Sequence, residues 1–392
     1  RAPICLPQNR RHLLVNLPTY MTTQDLIPLQ IIDAHRHGVW ALGLLLDGHI
    51  ISGGGDGLLK VWELATQTGK LALASQIPTP HTEVLIVRRT QRGRLVSAGH
   101  HGGIAIWDMD LRRDHLSLRQ HLGIETDYWE FNDRILETRP GHLITWAYLT
   151  ATPPVVWEWS TAQGVFQFKQ ELPMKWASAL LEDAQGHLLS GNRDGKINIW
   201  QMNVASGSWT AIKMLQAHNC AIRALCWTRE DNLISAGGDD ALIKVWQQDP
   251  DNEFFVLQQV LQGHMSPITD IMETEAGEII SNDQGTRFLI VRWRHKPEFW
   301  VWRKQPQGFQ PIQHETGLVR KYLDHRLIVD DIGESLSLWK KEGEVYERRV
   351  TMINGHRDLV VAVELLPGGR LITGGLDGRL CLWDLEPFLL KS

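Results

Sequence analysis

The sequence predicts an all-β chain built from one repeated multi-strand unit, and three observations carry that prediction. First, the stretch from Gly355-His356 to Trp383-Asp384 reads as a complete unit. It holds an apolar strand, the turn Pro367-Gly368-Gly369, the strand Arg370-Leu371-Ile372-Thr373, a tight turn over Gly374–Gly378 and a third strand ending in Trp-Asp. The same unit runs from His35 to Trp62, and His and Trp stand 27 positions apart in both copies. A repeat of this kind outranks any other reading. Second, a separation of eleven positions joins the start of one strand to a hydroxyl, or its substitute, on the next, eight times over. The blocks are Ala41 to Ser52, Ile86 to Ser97, Asp127 to Thr138, Ala179 to Ser190, Ala224 to Ser235, Asp270 to Ser281, Val319 to Asp330 and Ala362 to Thr373. Third, Gly and Pro fall at regular intervals between short strands, and 17 Trp against five Tyr fit an indole closing the last strand of each unit.

The Gly-His start and Trp-Asp end match the signature of the WD repeat, and on these residues the chain from about 26 to 385 resembles the WD40-repeat family. The resemblance implies a closed β-propeller of four-stranded blades. Eight blades follow from the count of units, with seven the alternative if one degenerate unit is an insertion. It also implies a tetrad in each full blade: His before strand a, Ser or Thr on strand b, Asp in the b–c turn and Trp on strand c. By position these are His35, Ser52, Asp56 and Trp62, then His218, Ser235, Asp240 and Trp246, then His356, Thr373, Asp377 and Trp383. Such groups are costly to bury singly but satisfy one another as a chain. The His-Ser-Asp sets therefore read as structural and not as a hydrolase triad. The resemblance takes in bacterial WD-repeat proteins and the C-terminal parts of longer ones.

Length alone suggests two or three domains, but stacked blades bury one continuous interior. The expected division is a linker or arm over 1–24 and one propeller domain over 25–392. A formal charge of −5 is mild for this size and argues against a dedicated nucleic-acid binder. Cys5, Cys220, Cys226 and Cys381 show no metal-ligand pairing. Cys226 and Cys381 sit in apolar strand patterns and read as reduced core residues, which implies a cytoplasmic setting. No run of about eighteen apolar residues exists, so no membrane span is expected. A start at Arg1, without Met or a signal pattern, implies a piece of a longer polypeptide.

Taken in order, residues 1–24 hold Pro3, Pro7, Pro18 and the basic knot Arg10-Arg11-His12 without lasting periodicity. They read as a solvated linker in preference to a phosphate contact. Asp25–His35 matches Ala211–His218 and Phe255–His264, each an outer strand leading into a His. After Trp383-Asp384 only Leu385–Ser392 remain, so the N-terminal segment is expected to supply the last blade's outer strand and close the ring. The second unit has His81, Ser97 and Trp107, with His101 where Asp is expected. The fourth has Ser190, Asp194 and Trp200 but no His at its start. The seventh has His314 and Trp339, with Asp330 in place of the hydroxyl and Gly333 in place of the Asp. The third and sixth are the most aberrant. A second Trp segment follows Trp146 and Trp293 (Val155–Ser160 and Glu298–Arg303), so Trp146 or Trp157, and Trp293 or Trp302, stand as the strand-c residues. These doublets read as elongated c–d hairpins in preference to exposed docking aromatics.

The run Gly53–Gly57 lacks Gly-Lys-Ser/Thr and lies between two strands, so it is a turn and not a phosphate loop. His100-His101 and His35/His37 have no convergent ligands around them. No nucleophile elbow or zinc-binding His-Glu-x-x-His is present, and neither catalysis, metal nor cofactor is expected. Two basic clusters stand out, Arg88, Arg89, Arg92 and Arg94, and Arg292, Arg294, His295, Lys296, Arg303 and Lys304. They read as solvated loops first, and equally as protein hot spots or single-stranded nucleic-acid contacts after that.

In propellers of the resembling family, partners dock on the top face around the central channel. By register those positions are Trp40, Leu85, Ser178, Arg223, Thr269 and Val361, with Gly55, His100, Arg193, Asp239 and Leu376 beside the turns. Trp40 and Arg223 lead as anchors, Asp239 beside Asp240 suits a basic peptide, and Trp300 with Trp302 offers a second edge. The expected function is a non-catalytic scaffold or sensor binding a protein or peptide, as a monomeric domain or within a larger assembly. The alternatives are the regulatory sensing tail of a larger signalling or ATPase-type protein, and nucleic-acid binding through the basic and Trp patches.

Overall fold

The computed structural model describes residues 24–389, apart from 46, 66, 102, 111–114, 124–134, 147–150, 250–254, 285, 289–291, 324–325 and 331–334. The arm expected over 1–24 lies almost wholly outside them, as do Cys5, Asp127 and Gly333. Strands a to d of each blade form antiparallel sheets over residues 39–78, 83–122, 135–171, 177–216, 222–261, 268–316, 318–352 and 360–384 with 30–33. These eight sheets make an eight-bladed β-propeller, and at the centre strand a of blade 1 packs against those of blades 2 and 8, that of blade 5 against those of blades 4 and 6, and that of blade 7 against that of blade 8. Strand b is covered on both faces and reads as a continuous buried run, as in Ile50–Gly54 and Leu188–Asn192. The outermost strand d is largely solvated, as in Leu71–Pro78.

Apolar cores lie between blades. Among the described residues eight clusters each draw on two neighbouring blades, and one of them joins Leu366, Ile372, Leu380 and Leu382 of blade 8 to Val39, Ile50 and Trp62 of blade 1. Polar clasps hold the rim. The Gln120 side-chain amide donates to Phe166 O at 2.6 Å and accepts from Phe166 N at 2.8 Å, as a strand neighbour would. Gln30 with Leu71, Gln170 with Trp209, Gln259 with Phe309 and Gln313 with Tyr346 repeat the device. Between blades 6 and 7 lies Glu278, 1 % exposed. Its carboxylate accepts from Arg303 Nε at 2.8 Å, Lys341 Nζ at 2.8 Å and the Tyr346 hydroxyl at 3.2 Å.

The ring closes as the sequence predicts. Gln30–Asp33 pairs antiparallel with Arg379–Leu382 as the outer strand of blade 8. Just before it, Gln24–Leu26 pairs parallel with Val350–Met352 and adds a fifth strand to blade 7, which the sequence reading did not foresee.

Several register assignments are corrected. In blade 3 the strand-b hydroxyl is Thr145, which accepts the Trp157 indole N–H at 3.0 Å. Thr138 sits seven residues earlier in the a–b turn, where its N–H donates to His142 O. Strand c holds Trp157 and Trp302, not Trp146 and Trp293. The extra segments interrupt the b–c connection, not the c–d hairpin: in blade 6 a small hairpin of Thr286–Phe288 and Arg292–His295 is inserted there. In blade 7 the residue facing strand c at the hydroxyl position is Val329, paired with Ser337, and not Asp330. The hydroxyl has crossed to strand c, since the Trp339 indole donates to Ser337 Oγ at 2.8 Å. His314 belongs to strand d of blade 6 and bonds Glu298 at 2.8 Å.

Candidate functional site

The top face carries the d–a connections and the b–c turns, and the tetrads tie the two together. In blade 1 the Trp62 indole donates to Ser52 Oγ at 2.8 Å, and Ser52 Oγ lies 2.7 Å from His35 Nε2. With Ser52 accepting from Trp62, its own hydroxyl hydrogen points to Nε2, which places the imidazole proton on Nδ1, facing Asp56 at 2.8 Å. Asp56 also accepts the backbone N–H of Arg36 and Leu58, pinning both loops with one carboxylate. Blades 5 and 8 repeat the chain through His218 with Asp240 and His356 with Asp377. Burial lowers the pKa of His35 and His218 against the opposing pull of Asp56 and Asp240. Burial acts to raise Asp56 and Asp377, but hydrogen bonds from His35 and His356 and from backbone N–H groups leave both below the usual value. The four tetrad hydroxyls, Ser52, Ser235, Ser281 and Thr373, are wholly buried, so no substrate reaches them as nucleophiles.

Ser281 belongs to a complete tetrad in blade 6 that the sequence reading missed. His264 lies 2.7 Å from Ser281 Oγ and 2.9 Å from Asp283, and Trp302 donates to the same Oγ at 2.9 Å. Its acid stands on strand b, because the inserted hairpin has displaced the turn that supplies Asp elsewhere. The signal was present: His264 precedes Ser281 by seventeen positions, as His35 precedes Ser52. Blade 2 keeps His81, Ser97 and Trp107 as a shorter chain. In blade 4 no His stands before strand a, and Asp194 pairs instead with Lys196 at 2.9 Å.

One local feature recurs along the inner strands. Near the start of strand a the ladder to strand b skips one residue in seven blades: Trp40, Leu85, Ser178, Arg223, Thr269, Arg320 and Val361. Such bulges re-aim a side chain away from the regular pleat. Six of the seven are the positions chosen from sequence, and Arg320 is the one the mistaken blade 7 register hid. Trp40 is half-buried, its indole so close over Gly38 that a Cβ there would stand 3.3 Å from Nε1. Arg223 folds back on the Gly238 turn, with Nε 3.1 Å from where a Cβ would be. Arg193 and Asp239 are exposed beside their turns.

Other candidates fall away from the surface. His100 is 5 % exposed. Trp302 is a buried tetrad indole and not an edge anchor. Trp300 is half-buried, stacked between His314 at 4.3 Å and Trp302 at 5.3 Å. Much of the first basic cluster serves the joint between blades 2 and 3: Arg94 lies 3.7 Å over the Trp159 ring, and Arg88 donates to Ile135 O at 3.2 Å. In the second cluster, Arg303 pairs with Glu278 and Lys304 with Glu230. Burial raises the Cys226 and Cys381 thiols to about 12. Among the described residues no helix is long and apolar enough to cross a membrane.

Comparison with known proteins gives the same architecture. The family model described as WD domain, G-beta repeat, matches residues 26–63, 209–247 and 347–384. These end in the third strands of blades 1, 5 and 8, where the acid lies in the b–c turn. Protein transport protein SEC13-2 of Candida glabrata is 25% identical over 179 residues, 40% of this chain and 58% of that protein. The ribosome biogenesis protein WDR12 homolog of Drosophila persimilis is 23% identical over 215 residues, 54% of this chain and 42% of that one. The matches thus span little more than half of these relatives' own length at most. Among solved structures, Saccharomyces cerevisiae Sqt1 aligns with TM-score 0.68 at 15% identity, covering 93% of this chain and 99% of Sqt1. The C-terminal WD40 domain of Sif2 aligns with TM-score 0.69 at 11% identity, covering 92% and 99%.

Proposed function

From the premise that the chain is a WD40-repeat β-propeller, we propose that it is a non-catalytic scaffold or sensor that binds a protein or peptide on its top face. The bulge ring carries this reading: seven blades each release one residue from the ladder beside the channel, and these side chains differ in kind from blade to blade. Ser178 is buried and donates to Gly191 O at 2.9 Å, but the other six, Trp, Leu, Arg, Thr, Arg and Val, stay partly exposed, and a partner reads such variety as specificity. Trp40 and Arg223 are the anchors, since Trp and Arg are the residues that most often dominate binding. Arg193 and Asp239 stand beside them as the charged rim.

The test is affinity capture from host lysate by the native protein and by a Trp40→Ala/Arg223→Glu variant shown to fold. A protein held by the native form and lost with the variant supports the top face. The same protein retained by both forms refutes it.

A further inference from the structure

We propose that the top of blade 4 is a receptor for an anionic group, a carboxylate or a phosphate, carried by an extended peptide. Trp176 serves as the shelf and Arg193 as the ion-pairing group. This deepens the top-face reading and rests on it.

Blade 4 keeps the inner half of the tetrad, with Trp200 donating to Ser190 Oγ at 2.9 Å, but not the outer half. Met174, 7 % exposed, stands three residues before strand a, where blade 2 has His81. The next residues, Lys175 and Trp176, lead directly into the strand. Trp176 has φ +61°, at the position that Gly38 occupies in blade 1 with φ +100°. A bulky side chain in this left-handed region costs about 1–2 kcal/mol, and such outliers persist where surrounding contacts impose them, often at binding sites. The Arg193 N–H does so here, donating to Trp176 O at 3.0 Å.

The side chains continue the same pairing. The Arg193 guanidinium carbon lies 5.2 Å from the centroid of the half-exposed Trp176 ring. Arg193 is exposed and, among the described residues, makes no ion pair. Lys175 is likewise exposed and unpaired, while the nearby Asp194 carboxylate is already neutralised by Lys196. A guanidinium held against an indole face keeps its in-plane N–H groups open, and that planar fork matches a carboxylate or phosphate. A further sign that this chain does not complete the blade top is Asn192, 6 % exposed, whose Oδ1 is buried without a donor. A buried acceptor left open calls for an explanation. Where blades 1, 5 and 8 have Gly to admit the His ring, blade 4 has this Asn.

The experiment selects a displayed random twelve-residue peptide library against the native protein and measures the recovered peptides by fluorescence anisotropy. We expect recovered peptides to share an Asp or Glu. Changing that residue to Gln or Asn, or Arg193→Gln in the protein, should each weaken binding about tenfold or more, as loss of a bidentate charged contact does. Phosphoserine at the same peptide position separates the two sources, tighter binding naming phosphate and weaker binding naming carboxylate. Trp176→Gly should weaken binding at least about fivefold while leaving thermal stability equal or higher, because Gly relieves the left-handed strain; a merely structural Trp would instead lower stability. Peptides without a shared acid, or peptides bound equally by native and Arg193→Gln protein, overturn the proposal. If binding is lost only with Trp40→Ala/Arg223→Glu, the top-face reading stands and the blade 4 receptor falls. If no peptide is recovered, both fall.

Discussion

The tetrad of blade 6 gives the sharpest test of how polar chains hold this ring. In Ser281→Ala the Trp302 indole loses its acceptor at 2.9 Å and His264 Nε2 loses its partner at 2.7 Å. Serine and indole are at most 2 % exposed and His264 8 %, so water does not readily replace what is lost. Leaving the indole donor unsatisfied costs about 1–3 kcal/mol, and the second hydrogen bond adds about 1 kcal/mol, for a total of about 2–4 kcal/mol. Ser190→Ala in blade 4 is the internal control, because Ser190 serves Trp200 alone and should cost about 1–3 kcal/mol. Urea denaturation followed by tryptophan fluorescence reads the difference as a lower midpoint at unchanged slope. If Ser281→Ala is no more damaging than Ser190→Ala, the histidine arm contributes nothing and the account of the tetrad as a continuous chain is wrong.

Four further outcomes follow. Acid should destabilise the fold in two stages: His35 and His218 are lowered from 6.5, so the unfolded chain gains protons first as pH falls below about 6.5, and Asp56 and Asp377, lowered from 3.8, add a second loss below about 3.8. A melting temperature that rises between pH 7 and pH 5 contradicts this. Gln259→Ala removes two hydrogen bonds to Phe309 and should cost about 1–3 kcal/mol by urea denaturation, whereas Gln258→Ala, exposed on the same strand, should stay within about 0.5 kcal/mol. Glu278→Gln leaves Arg303 and Lys341 facing a neutral amide; since those cations are 20% and 18% exposed, the loss should be about 2–4 kcal/mol, and a neutral result in the same assay would show the ionic cluster to be dispensable. Ile31→Pro breaks the strand that closes blade 8 and should make unfolding less cooperative, while Asp25→Pro, on the added strand of blade 7, should leave cooperativity intact by calorimetry.

The repeat was legible because Trp, Gly-His and the eleven-position block each recur at fixed offsets, and a period of that strength survives degeneracy. Register was legible only where turns were regular. Thr138 satisfied the spacing by accident, being an a–b turn residue like Thr90 and Thr228, whose N–H groups bond Arg94 O and Asn232 O in the same way. Blade 7 misled because its hydroxyl moved to Ser337, one strand over, a change that preserves the hydrogen bond but not the sequence pattern. The blade 6 tetrad was hidden by the inserted hairpin, which moved its Trp from ten to twenty-one positions beyond the Ser. The glutamine clasps carry no local signature, since a Gln on a solvated strand looks like any surface residue until its neighbour blade is known. Trp176 escaped because backbone φ is a consequence of the folded turn and not of composition.

The strand Gln30–Asp33 finds its partner only at Arg379–Leu382. Polypeptide synthesis at about 5–20 residues per second puts roughly 20–70 s between the two. For that interval Ile31 and Ile32 belong to a strand whose antiparallel partner does not yet exist, while each internal blade brings all four of its strands from one contiguous stretch. Closure is therefore a late event in time as well as in space, and the nascent chain passes through an open arc with two unpaired edges. A chaperone or an early partner has its opportunity there, before the circle shuts.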